Sequence, residues 1–167
     1  MEEVFSEAAC EGEAEVVRAL LADSRVDPTA DNNFAIRVAS GYGYAEVVRA
    51  LLADPRVDPA ADDDYAIRVA SYYGHAEVVR ALLADPRADP RVAIKNSNRE
   101  CARIIASDSA RGGIEQYYEL FEEYQPTIVR EYLARLRQCY AIAWVATQEV
   151  NWIDAVEPVS KRLKLLL

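Results

Sequence analysis

The sequence predicts an all-α solenoid of short helix-turn-helix repeats with a helical cap at its carboxyl-terminal end, and two observations lead to that prediction. The decapeptide AEVVRALLAD occurs at residues 14–23, 45–54 and 76–85, which sets a period of 31 residues. Each copy also has the apolar spacing of an amphipathic helix. A period between about 20 and 50 residues is typical of arrays in which each unit buries its apolar face against its neighbours.

The second half of each unit is predicted to be a helix from Ala45 to Asp54, with equivalents one period away. Its apolar stripe consists of Val47, Val48, Ala50, Leu51 and Leu52. Glu46 lies in the first turn, where the helix dipole favours an acid. The helix should end before Pro55, because proline cannot continue the hydrogen-bond ladder.

The first half of each unit spans Phe34 to Gly41 or Tyr65 to Tyr72, and these segments are too short to separate helix from strand by periodicity. Gly43 separates two apolar segments and can adopt the left-handed conformation that ends one helix and reverses the chain. The segment PRVDPAADDD at 55–64 predicts an extended connection tipped by a turn. Each unit is therefore predicted to be helix, tight turn, helix and polar loop.

The pattern divides the chain into three repeats at about 1–30, 31–61 and 62–92, a degenerate fourth repeat at 93–125, and carboxyl-terminal capping helices with a tail at 126–167. The fourth repeat is inferred from Asn96, Ser97 and Asn98, which resemble the loop tips, and from an alignment further along. That alignment places Gly113, Glu115, Leu120 and Phe121 where Gly74, Glu77, Leu82 and Leu83 stand. One long helix is expected after Pro126, with Trp144 and Trp152 covering the end of the stack.

The charge of the chain is concentrated in its repeats. Residues 1–92 hold 18 acidic and 9 basic side chains, whereas residues 93–167 hold 10 of each, and the net charge is −9. Nucleic acids and anionic membranes attract clustered Lys and Arg, so this balance argues against both as partners. It favours a neutral or basic protein partner. The sequence also lacks a secretory signal and a long apolar run, which predicts a cytoplasmic protein; the basic end SKRLKLLL keeps a nuclear location open.

Residues that carry chemistry are sparse, which predicts a protein that is not an enzyme and holds no cofactor or metal. His75 is the single histidine, and a hydrogen bond at a helix start is its expected role. The three cysteines lack the CxxC spacing of a zinc or redox site, so they are expected to be small buried hydrophobes. Asp62, Asp63 and Asp64 lack the spaced ligands of a calcium loop, which leaves a solvated tip or a protein contact as alternatives.

The repeated pattern G(H/Y)AEVVRALL followed by a loop ending in DP resembles the ankyrin repeat family. Gly74, His75, Val78, Val79 and Leu82 carry the match, together with Leu83. The resemblance departs from the family in its 31-residue period and in FAIRVA and YAIRVA, which replace the TPLHxA signature. Arg37 and Arg68 occupy the histidine position of that signature, so hydrogen bonds usual in the family are lost.

The resemblance implies that the chain binds a protein through the concave surface formed by the loop tips and the first helices. The two closest repeats differ mainly in those places. The predicted partner-binding residues are Asn32, Asn33, Asp63, Asp64, Tyr42, Tyr72 and Tyr73. Tyrosine suits this role because it brings a large contact area and a polar tip. The alternative for Tyr42 and Tyr73 is packing between units.

The sequence therefore predicts a protein-protein interaction module or adaptor. The alternative is a substrate receptor whose carboxyl-terminal helices dock on other machinery, such as a ubiquitin ligase. PTIVREYLARL at 126–136 has a proline followed by spaced aliphatic residues, which is faintly similar to an F-box-like segment.

Deleting residues 126–167 tests whether they cap the stack, since a terminal element is expected to cover the apolar face of the last unit. The truncated chain should aggregate or lose much of its free energy of unfolding, as measured by light scattering and thermal melting. A truncated chain that stays soluble and melts at the same temperature would show that these residues form an independent tail.

Overall fold

A computed structural model describes residues 2–108 and 117–147 of the chain, and every regular element in those ranges is a helix. The helices are α1 Glu2–Glu11, α2 Ala14–Leu21, α3 Ala30–Tyr42, α4 Ala45–Leu52, α5 Ala61–Tyr73, α6 Ala76–Leu83, α7 Arg91–Ile94, α8 Arg99–Ala106, α9 Tyr118–Tyr124 and α10 Pro126–Thr147. None of these helices is both long and apolar enough to cross a lipid bilayer. The predicted all-α fold is confirmed.

The chain divides into two compact units, Met1–Ile128 and Val129–Leu167. In the first unit the helices form consecutive antiparallel pairs that stack in two layers. The first helices α1, α3, α5 and α7 pack on one another in order, and so do the second helices α2, α4, α6 and α8. Ile36 and Ile67 of the first helices and Val48 and Val79 of the second are fully buried between them. These core residues recur one period apart, as stacking requires.

The second helix α4 ends at Leu52, with Ala53 as its last capping residue, so Asp54 lies outside the helix as the effect of Pro55 on the preceding residue predicts. The Asp54 carboxylate accepts the backbone N–H of Arg56 at 3.0 Å and a guanidinium N–H of the same residue at 2.6 Å. These hydrogen bonds between Asp54 and Arg56 turn the chain at Pro55. The loop that follows contains two turns, closed by Val57 N–H to Asp54 C=O and by Ala61 N–H to Asp58 C=O. It is therefore more compact than the extended connection that we expected.

A side chain of each unit packs against the left-handed glycine of the preceding unit. Gly43 has φ +82°, and a Cβ there would lie 2.6 Å from Nδ1 of His75. A Cβ at Gly12 would lie 2.8 Å from the ring of Tyr44, and one at Gly74 would overlap the amide of Asn98. Glycine is required at these turns both for the backbone conformation and for the space.

The alignment expected for the fourth repeat is wrong. Asn98 caps α8 by accepting the backbone N–H groups of Glu100 and Cys101 at 2.9 and 3.0 Å, and it lies over Gly74 as His75 lies over Gly43. It is therefore the equivalent of His75 and not of a loop-tip residue. RECARIIASD at 99–108 aligns with AEVVRALLAD at 76–85, and the first helix of this pair is only four residues long.

The carboxyl-terminal part contains α9 and α10. α10 is one continuous helix from Pro126, as predicted. Phe121 of α9 is fully buried. Gly113, Glu115 and Trp152 lie outside the described residues, and so does the side chain of Trp144. The assignment of 126–167 as a cap remains a prediction.

The loop tips adopt an unusual backbone that the sequence did not indicate. Asp31, Asn32 and Asn33 have φ of 50°, 57° and 58°, and 62–64 repeat this left-handed turn. Each turn leads directly into the right-handed part of α3 or α5. A left-handed residue other than glycine costs about 1–2 kcal/mol, and Asn and Asp tolerate the conformation best.

The next unit holds each left-handed turn in place. The side-chain oxygen of Asn33 accepts the backbone N–H of Asp58 at 2.8 Å, and that of Asp64 accepts the backbone N–H of Asp89 at 2.7 Å. Asn33 is buried and Asp64 is half-buried. The third residue of the turn therefore joins one unit to the loop of the next.

Replacing Gly43 by alanine should lower the free energy of unfolding by about 1–3 kcal/mol, because the new Cβ occupies a left-handed residue and meets the His75 ring. Gly41 is the matched control. It lies inside α3, where a Cβ would meet only Val69 at an ordinary 3.6 Å, so Gly41→Ala should be neutral or stabilising by up to about 1 kcal/mol. Urea denaturation measures both, and equal effects would contradict the packing of His75 on Gly43.

Replacing Asp64 by asparagine should raise the melting temperature at neutral pH. Burial raises the pKa of the Asp64 carboxyl, and the nearby carboxylates of Asp89, Asp58 and Asp63 raise it further. A raised pKa in the folded state means that stability falls as pH rises from the ordinary aspartate pKa, about 3.9, through the raised one. Asn33 makes the same hydrogen bond without a charge.

The advantage of Asp64→Asn should therefore vanish below about pH 3, where the carboxyl is protonated in both states. Asp63→Asn, at an exposed position with no such bond, is the control and should change the melting temperature less. A variant that is less stable than the parent at pH 7 would contradict this account of Asp64.

Candidate functional site

Three tyrosines at the ends of the first helices are exposed. Tyr42, Tyr72 and Tyr73 expose 61%, 60% and 63% of their surface. The rings of Tyr72 and Tyr73 meet edge to face with centroids 5.1 Å apart, and Tyr73 lies 6.2 Å from the ring of His75. The Tyr42 ring lies 5.8 Å from that of Tyr44, so both Tyr42 and Tyr73 contact the residue that packs on the preceding unit while most of their surface is exposed.

The four predicted loop-tip residues divide into two groups. Asn32 and Asp63, in the middle of each left-handed turn, are exposed. Asn33 and Asp64 instead direct their side-chain oxygens to the backbone of the next unit. The structure thus leaves one side chain of each turn free to meet a partner and uses the other to hold the turn.

Tyr65 and Arg68 were missed by the sequence reasoning, although Tyr72 was predicted. The three residues follow one another at helical spacing on α5, and all three are exposed. Two guanidinium groups lie near the Tyr65 ring, that of Arg37 at 5.7 Å and that of Arg68 at 5.6 Å from its centroid. The sequence did contain a signal for these residues. Where the second repeat has Phe34 and Gly41, the third has Tyr65 and Tyr72, and both tyrosines lie on the same side of α5.

The arginines at the position of the family's signature histidine make different contacts. Arg37 donates to the carboxylate of Asp62 in the next unit at 2.7 Å and to the carbonyl of Asp31 at 3.1 Å. This pair restores a bond between units that the loss of the signature was expected to remove. Asp62 is therefore paired with a cation of its own chain.

Residues with reactive side chains have structural surroundings. The Nε2–H of His75 donates to the carbonyl of Gly41 at 2.9 Å, which joins two units. Cys10 is half-buried, and burial raises the pKa of the Cys101 thiol to about 11, so that thiol stays protonated at neutral pH. Within 2–108 and 117–147, no three His, Cys, Asp or Glu side chains are grouped so that they could hold a metal ion. The side chain of Cys139 is outside the described part.

Glutamate and arginine side chains form a ladder along the outer surface of the second helices. Arg18 pairs with Glu15 of its own helix and reaches Glu46 of the next at 3.4 Å. Arg49 repeats the arrangement with Glu46 and, at 3.3 Å, with Glu77. These side chains satisfy one another, which leaves the tyrosine-bearing side as the better candidate for binding.

Comparison with known proteins agrees with the helix pairs. A family model described as ankyrin repeats, in three copies, matches residues 5–93, which is more than half of the chain. No curated protein and no solved structure gives a match. The matched segment covers α1 to α6 and the loops that follow each pair, where the glycine turns and the buried layers described above recur. The chain belongs to the ankyrin repeat family.

Proposed function

We propose that this chain is an adaptor that binds another protein through the exposed tyrosines Tyr42, Tyr72 and Tyr73. Ankyrin repeats generally mediate protein-protein interaction. The observation that supports this surface is the exposure of the three tyrosines, which is 61%, 60% and 63%. Tyrosine is enriched among the residues that dominate binding energy.

The loop tips contribute the edge of the proposed surface. Asn32 and Asp63 meet the partner directly, whereas Asn33 and Asp64 position the turns through their bonds to the next unit. The acidic character of residues 1–92 favours a partner that is neutral or basic. Exposed carboxylates at such an edge act mainly on the rate of encounter, since solvent screens them.

The proposed function has no catalytic step, no cofactor and no bound metal, and its partner is neither a nucleic acid nor a membrane. The paired His75 and the protonated Cys101 support the first part. We further propose a cytoplasmic location, with the nucleus as the alternative. The substrate-receptor alternative has no observation among the described residues that favours it over an adaptor.

Replacing Tyr42 and Tyr73 together by alanine should weaken partner binding by about 2 kcal/mol or more, because truncating interface anchors commonly costs this much. Binding is measured by isothermal titration with a partner isolated by affinity capture. Helical content by circular dichroism should stay unchanged, since both rings face solvent.

Tyr44→His is the matched control. Tyr44 lies on Gly12 as His75 lies on Gly43, so the replacement keeps the contact between units and should leave affinity unchanged. If the tyrosine pair is structural instead, the double variant will melt at a much lower temperature. A titration corrected for unfolded protein would then show the parent affinity, and the proposed surface would be rejected.

A further inference from the structure

The second repeat shows how an arginine on the first helix receives an acid. Arg37 donates to a carboxylate oxygen of Asp62 at 2.7 Å while its guanidinium lies 5.7 Å from the centre of the Tyr65 ring. The acid comes from the loop tip of the following unit. This arrangement pairs a guanidinium with both an aromatic ring and a carboxylate, which are the two groups that it binds best.

Arg68 occupies the equivalent position in the third repeat and lacks the acid. Its guanidinium lies 5.6 Å from the centre of the Tyr65 ring, and the residue is exposed. The following unit has a first helix of only four residues, in which Arg91 aligns with Arg68, and among the described residues no left-handed turn like the one that carries Asp62 precedes it. Within residues 2–108 and 117–147, the Arg68 side chain has no ion pair and no hydrogen bond.

The neighbours of Arg68 add contact area and positive charge. Tyr72 follows it by one helical turn and is 60% exposed. Lys95, the residue after α7, aligns with Tyr72 in the repeat pattern and is exposed; its ammonium lies 5.4 Å from the centre of the Tyr124 ring. Arg91 is already paired with Asp89. Among the described residues, Arg68 therefore lies on the exposed Tyr65 without an acid, and a second cation without an acid, Lys95, follows the helix α7 that packs on α5.

We propose that Tyr65, Arg68 and Tyr72 of α5, with Lys95 at the end of α7, bind an acidic segment of the protein partner. A carboxylate of that segment takes the place on Arg68 that Asp62 takes on Arg37. The inference rests on the proposed adaptor function and narrows it, because it requires a partner with an acidic side chain at this point even where its surface is otherwise neutral or basic. We infer a carboxylate rather than a phosphate, because Arg37, which also lies near Tyr65, binds the carboxylate of Asp62 one unit earlier.

The test uses the whole chain and a phage-displayed library of random dodecapeptides. Enriched peptides should share an Asp or Glu at a fixed position, and changing that residue to its amide should weaken binding at least tenfold. Arg68→Gln should weaken the same peptides at least tenfold, with Arg68→Lys between the two, because lysine keeps the charge without the planar fork. Arg80→Gln is the control. Arg80 lies on α6 and pairs with Glu77 at 2.5 Å, so its loss should leave peptide binding unchanged.

A charge exchange sharpens the test. A peptide whose shared acid is changed to lysine should fail on the parent chain and regain affinity on Arg68→Glu, which only a direct contact explains. Peptides without a shared acid, or equal loss with Arg68→Gln and Arg80→Gln, would overturn the inference. A library that yields no binder overturns it too, because a linear acidic segment is what it requires.

Two further outcomes would reject the acidic segment or its carboxylate without rejecting the adaptor function. If enriched peptides ignore Arg68 but are lost when Tyr42 and Tyr73 become alanine, the adaptor function stands and the acidic segment is rejected. If a phosphoserine at the shared position binds at least tenfold more tightly than the acid, and Arg68→Gln abolishes that gain, the carboxylate assignment is rejected in favour of a phosphopeptide.

Discussion

The stack depends on a contact that recurs at every junction between repeats, in which the residue before each second helix packs over the left-handed glycine of the preceding unit. Tyr44, His75 and Asn98 fill this position in turn. Three different side chains serve because the requirement is a flat group that fits the space left by a missing Cβ. The exposed tyrosines lie one or two residues before this glycine, so the contact also holds the helix end that carries them.

Rows of polar contacts between neighbouring repeats also align the repeats with one another. Glu and Arg at fixed positions of the second helices pair within a helix and with the next one, and Arg56 and Arg87 donate to the carbonyls of Val26 and Val57 one unit back. The exposed pairs contribute little to stability individually. Their value lies in orientation, because each side chain has a partner in only one stacking register. The charged side chains on the outer surface of the second helices are consequently paired with one another, so this surface offers a partner few unpaired groups.

The opposite side has the reverse character, because its polar groups are only partly paired. Asn33 and Asp64 hold the left-handed turns, and Arg37 binds Asp62. The next equivalent cation, Arg68, binds no acid among the described residues. The interruption follows from the shortened first helix of the fourth pair. The equivalent of a guanidinium that is paired in the second repeat is therefore exposed in the third.

The sequence by itself determined the helix pairs, the glycine turns and the period, since these depend on local propensity and on side chains that recur every 31 residues. Gly43 and the apolar stripe around Val48 are cases in which the local signal and the structure agree. Tertiary structure alone decided the alignment of Asn98, the left-handed turn at 62–64 and the roles of Asn33 and Asp64. Each of these depends on a bond or contact with the neighbouring unit, and a backbone that is unfavourable alone becomes stable only when that neighbour is in place.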